Sequence, residues 1–158
     1  MQQEHQAPSE STNNQQIIAY GSQEFHKEHK NAQIINIGQF FSSIPRQVYQ
    51  IACGGLHTLI LTTNGEVYSF GNKKDGALGR TGNPNQPARV ELEVSVDMIC
   101  AGESHSIACN SNSAIIYQWG RYNYFNTKES FGTMTPQRIG ESDIKKKKIK
   151  KIISGANH

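Results

Sequence analysis

Histidine recurs in this 158-residue chain in a fixed setting, as Gly54–His57, Gly102–His105 and Gly155–His158, each with glycine three residues ahead. Imidazole is the usual proton shuttle and metal ligand near neutral pH, so acid–base and zinc chemistry are weighed first. Repetition once per unit argues against catalysis, which gathers its groups at one place. It favours a packing or hydrogen-bonding role, with glycine allowing the backbone to come close. Cysteine lies near two of the histidines, but Cys53 is four residues before His57 and Cys100 is five before His105. On strands that mismatch sends the two thiols to opposite faces, so no metal site is expected. The glycines Gly71, Gly76, Gly79 and Gly82 resemble a phosphate loop only superficially. Ala77-Leu78 stand where a Walker loop needs lysine and then serine or threonine. No triad and no paired-carboxylate cleft can be assembled, so neither an enzyme nor a cofactor is expected. The run Lys145, Lys146, Lys147, Lys148 with Lys150 and Lys151 reads either as a nuclear import signal or DNA-contacting patch, or as a solvated strand whose charges block edge pairing.

The elements that must position these residues repeat as well. An apolar strand ending in glycine occurs as Ile17–Gly21, Val67–Gly71 and Ile115–Gly120, at a spacing near 50. A period in that range means repeated supersecondary units, and the local chemistry is that of strands. Thr58–Thr62 and Glu66–Phe70 flank Asn64-Gly65, which predicts a type I′ hairpin. Asn110–Ser113 takes the same place in the next unit. A loop is expected after each strand-ending glycine, with Asn72–Pro87 too rich in glycine and proline for a regular element. Pro87–Val90 and Pro136–Ile139 then restart the pattern. Helical periodicity is absent over any useful length. The expectation is an all-β chain with a disordered polar tail at 1–16, a degenerate unit at 17–50, a clear unit at 51–101 and a truncated one at 102–158.

Composition narrows the class further. Mean hydropathy is −0.61 and hydrophobic residues make up 35%. No apolar run has the length of a membrane span, and no secretory signal is read at the amino terminus. Three cysteines without a disulfide framework favour a reducing compartment, nuclear or cytoplasmic rather than secreted. Net charge is +3, yet the lysine run alone supplies six positive charges, leaving the rest at −3. A diffuse affinity for nucleic acid is therefore not implied.

Two motifs carry a family resemblance. Ile51-Ala52-Cys53-Gly54-Gly55-Leu56-His57-Thr58-Leu59-Ile60-Leu61 and Gly71–Thr81, with its Gly-Ala-Leu-Gly-Arg core, resemble the regulator of chromosome condensation repeat family. Lys73-Lys74 replace the family's usual Asn-Asp pair. The resemblance implies a seven-bladed β-propeller of four-stranded antiparallel blades. About two and a half repeats are present, so a partial β-propeller with an incomplete ring is expected, and missing blades are needed to close it. In the founding member one face binds the small GTPase Ran and ejects its nucleotide, and another surface binds nucleosomes. Acidic residues between the glycine and histidine of particular repeats take part in that exchange. Those positions fall here on Glu103, which keeps a carboxylate, and on Asn157, which does not. The wedge that the family inserts against its GTPase would follow Gly120, where Arg121-Tyr122-Asn123-Tyr124-Phe125-Asn126 lacks the glycine-containing turn. Arg121, Tyr122, Tyr124 and Phe125 are candidate interface residues, their aromatics either partner anchors or ordinary loop packing. The resemblance implies a binding protein, an exchange factor or regulator of a small GTPase. The alternatives are a non-catalytic scaffold and a truncated remnant.

Overall fold

A computed structural model describes residues 16–19, 33–36, 47–123, 130–139 and 148–157. The chain divides into two compact units, Met1–Pro45 and Arg46–His158. In the first, β1 (Gln16–Ala19) pairs antiparallel with β2 (Gln33–Asn36), Ile17 facing Ile35. Gln16, assigned to the tail from sequence, is the first residue of β1; residues 1–15 lie outside the described residues, as do Tyr20 and Gly21.

The second unit holds two four-stranded antiparallel sheets in succession. The first blade has β3 (Val48–Cys53), β4 (His57–Thr62), β5 (Val67–Gly71) and β6 (Ala88–Val90) in spatial order. The second has β7 (Met98–Ala101), β8 (His105–Asn110), β9 (Ile115–Asn123) and β10 (Ser130–Ile139). Among the described residues the structure is all-β, a partial propeller without a closed ring. Among the described residues the one helical feature is a 3₁₀ turn at Lys74–Gly76, and no helix is long and apolar enough to cross a membrane. β4 and β5 are buried along almost their whole length, with Leu59, Leu61 and Val67 turned to the core shared with the second blade.

Core residues come from both blades. Leu59, Leu61, Val67 and Val90 of the first pack with Ile99, Ala108, Tyr117 and Trp119 of the second, and Val96 fills the link between them. Removing one such leucine or isoleucine side chain costs about 2–5 kcal/mol in a packed core. Polar clips fix the register. The Gln50 amide donates to the Ile99 carbonyl at 2.8 Å and accepts from the Ile99 N–H at 3.1 Å, acting as a strand segment between blades.

The sequence expectations are corrected at two places. Asn64-Gly65 does not form a type I′ turn: Gly65 has φ 79° but Asn64 is not in the positive-φ region. The Gly65 N–H donates to Thr62 O at 2.9 Å and the Thr62 N–H to Glu66 O at 3.0 Å. This is a three-residue loop closed by a glycine bulge. In the second blade a four-residue loop, 111–114, joins the paired Asn110 and Ile115, and its last residue, Ala114, also has a positive φ, 53°. The second correction is Gly120, which does not end its strand. With φ 82° it bends β9, which continues through Arg121, Tyr122 and Asn123 opposite Gly132, Phe131 and Ser130. The stretch expected to be a loop is strand as far as Asn123, because β10 is long enough to pair with it.

Candidate functional site

Backbone hydrogen bonds gather three segments at one rim of the second blade. The loop between β7 and β8 holds Glu103. Its N–H donates to Ala156 O at 2.7 Å, and its carbonyl accepts from the Gly55 N–H of the first blade at 3.1 Å. The extension of β9 joins through Arg121 N–H to Ser104 O at 2.8 Å, and through Asn123 N–H to Asn157 O at 2.9 Å. Glu103 and Asn157 are both exposed. The result is a solvent-facing carboxylate on a backbone held from two sides. Tyr122 lies edge-on to His105, their ring centroids 6.4 Å apart at 67°. The Arg121 guanidinium turns away from this rim to Asp75 at 3.4 Å. Of the sequence-derived interface residues, Glu103, Asn157, Arg121 and Tyr122 thus share one rim at backbone level. Tyr124 and Phe125 lie outside the described residues.

The histidines occupy the joints between blades. His57 Nε2 lies 2.8 Å from Ser106 Oγ, and that hydroxyl donates to Ala77 O at 2.9 Å. With the serine proton directed there, His57 is the donor from Nε2–H. Burial, and then the charge on His105, pull its pKa down from 6.5 to about 4. A buried neutral imidazole with a fixed partner holds structure and is poorly placed to exchange protons with solvent. His105 Nε2 meets Ser154 Oγ at 2.6 Å. A Cβ on Gly54 would overlap the His57 ring and come within 2.5 Å of Gly102 O, and Gly102 stands likewise against His105 and Gly155 O. His158 lies outside the described residues.

The glycine loop is a packing device. Ala77 O accepts from both Ser106 and Trp119 Nε1 of the second blade, the latter at 2.9 Å. A Cβ on Gly79 would lie 2.6 Å from that indole nitrogen. Arg80, quoted in the motif without a role, proves central to the loop. Its guanidinium donates to the carbonyls of Ser69, Thr81, Asn83 and Gln86. Gln50 and the Asp75–Arg121 pair were also missed, since nothing in local spacing announces a contact between blades.

Burial pushes the Cys100 thiol up to about 11, and burial with the Asp97 and Cys100 charges does the same for Cys109. Both are poor nucleophiles. Cys53 is exposed, and among the described residues no cluster of three metal-ligating side chains occurs. Lys148, Lys150 and Lys151 are exposed, while Ile149 N–H donates to Ser111 O at 3.2 Å. Lys145, Lys146 and Lys147 lie outside the described residues.

Two models of the Regulator of chromosome condensation (RCC1) repeat match, at residues 48–77 and 64–109. The Regulator of chromosome condensation of Homo sapiens is 32% identical over 123 residues, 73% of this chain and 28% of that protein. Its namesake from Drosophila melanogaster is 37% identical over 130 residues, 74% of this chain and 22% of the relative. The Ultraviolet-B receptor UVR8 of Arabidopsis thaliana is 30% identical over 98 residues, 59% and 22% of the two chains. The chain thus spans between a fifth and a third of the length of these relatives. Two solved structures share the fold. Human WBSCR16 has a TM-score of 0.62 at 23% identity, over 78% of this chain and 31% of that one. Prp20p of Saccharomyces cerevisiae, studied for its binding to Gsp1p and histones, has a TM-score of 0.51 at 24% identity, over 61% and 26%.

Proposed function

The chain carries repeats of the regulator of chromosome condensation family, and from that premise we propose that it acts by binding a small GTPase of the Ran type and regulating its nucleotide exchange. The observation that carries this reading is the rim that brings Glu103, Asn157 and the Arg121–Asn123 strand together. Relatives named for chromosome condensation cover about three quarters of the chain, and the partners studied for Prp20p point the same way. Glu103 supplies a negative charge to compete for the phosphate-binding lysine or magnesium of the GTPase. Tyr122, with Tyr124 and Phe125, supplies the aromatic anchor. A nuclear or cytoplasmic setting accompanies this reading. So does a ring completed by further blades, from this polypeptide or another.

The test is nucleotide release. Catalytic amounts of the protein should accelerate loss of labelled GDP from Ran, and Glu103→Ala should slow it at least tenfold. No acceleration by a folded sample overturns the reading. Asn157, uncharged on the same rim, favours a second reading, an interaction scaffold without exchange activity. UVR8 and the mitochondrial protein RUG3 of Arabidopsis thaliana carry related sequence under other names. A binding partner captured without any change in nucleotide release would select it. For nucleosomes or DNA, Lys145–Lys148 are the proposed contact. Neutralising them should flatten the salt dependence of binding, and an unchanged slope assigns the run to solubility.

A further inference from the structure

Residues at the same place in successive units are joined along the rim. Gly55, Glu103 and Ala156 each follow the glycine that opens a Gly-x-x-His motif. The Gly55 N–H is shared between Gly102 O at 3.2 Å and Glu103 O at 3.1 Å, and the Glu103 N–H donates onward to Ala156 O at 2.7 Å. Both polar backbone groups of Glu103 are thus bonded to residues outside its own loop. Its place is set by the blade before it and the segment after it.

Gly55 also meets Glu103 by shape. A Cβ there would stand 2.7 Å from Glu103 O, 3.0 Å from its Cγ and 3.3 Å from its carbonyl carbon. Two of those atoms are backbone, which cannot swing aside as the end of a flexible side chain does. Restoring ordinary van der Waals contact, at about 3.4 Å, opens the first gap by about 0.7 Å. A working group has to be held to within about 0.5 Å. Gly54 differs, because a Cβ on it would strike the buried His57 ring and Gly102 O, the joint itself. Gly55 is exposed and lies outside the left-handed region, so alanine suits its backbone and disturbs no core.

We propose that Gly55 is a positioning residue for the Glu103 carboxylate. Its bare backbone fixes where that charge stands when the GTPase docks, so the acidic group of one blade is aimed by the blade before it. The role of the carboxylate rests on the exchange reading above, whereas the hold of Gly55 upon it rests on the rim geometry alone.

The test compares Gly55→Ala with the unaltered protein, both as the full chain. For GDP release from Ran, kcat should fall about tenfold with KM changed less than twofold, the mark of an interaction realised in the transition state. In a protein already carrying Glu103→Ala, Gly55→Ala should cost nothing more. An unchanged rate, a loss confined to KM, or equal losses in both backgrounds each overturns the proposal. Amide hydrogen exchange gives a readout that needs no GTPase. The Glu103 N–H should change its exchange rate at least threefold in Gly55→Ala while the amides of β4 and β8 keep their protection. An unresponsive Glu103 amide, or protection lost throughout β4 and β8, overturns the positioning role whatever the nucleotide assay gives. If Glu103 responds but the unaltered protein releases no GDP, the exchange reading falls and the hold of Gly55 on Glu103 stands.

Discussion

Ala114 sits in the left-handed region at φ 53°, where the first blade has Gly65. A side chain there carries a strain that glycine does not. Ala114→Gly should therefore stabilise the protein, by about 0.5–1 kcal/mol after the added flexibility of the unfolded chain. A higher urea midpoint checks it. His57 makes a second prediction, through pH. Folded His57 stays neutral down to about pH 4, whereas the unfolded side chain takes up a proton below 6.5. Its contribution is complete above pH 6.5 and lost progressively as pH falls through that window, by about 3 kcal/mol in all. His57→Gln keeps a donor for Ser106 and should flatten the decline. An equal slope in both proteins would remove His57 as its source.

At the scale of elements, Arg80 ties β5 to the glycine loop through the carbonyls of Ser69, Asn83 and Gln86. Lysine lacks the planar fork that makes these bonds together, so Arg80→Lys should cost about 1.5–3 kcal/mol. It should also expose the 81–87 segment to limited proteolysis. The sequence made the strands legible because β-branched and apolar residues repeat in phase with glycine, as in Thr58–Thr62 and Val67–Gly71. It misjudged the Asn64-Gly65 turn because the same dipeptide serves two hairpin geometries that differ by one residue of loop. The continuation of β9 past Gly120 was hidden for another reason. A glycine with positive φ can end a strand or merely bend it, and the long partner β10 decides between them. Glu103 and Asn157 could be found from the Gly-x-x-His register, but their meeting with Arg121–Asn123 arises only from the fold.

At the scale of the whole second unit, the blades share one core and exchange hydrogen bonds through Gln50, His57, Ser106 and Trp119. Neither sheet buries its apolar face without the other, so both should melt in a single transition by calorimetry. Gln50→Ala removes the two bonds to Ile99 and should lower stability by about 1–3 kcal/mol without splitting that transition. Two resolved transitions would mean that the blades are energetically separate. Trp119, fully buried in one blade with its N–H on a carbonyl of the other, is also the chain's sole tryptophan. The molecule is thus supplied with its own optical probe at the seam. A red shift in indole emission would register parting of the leaflets, whether acid, denaturant or a docking protein pries them open, with no dye attached.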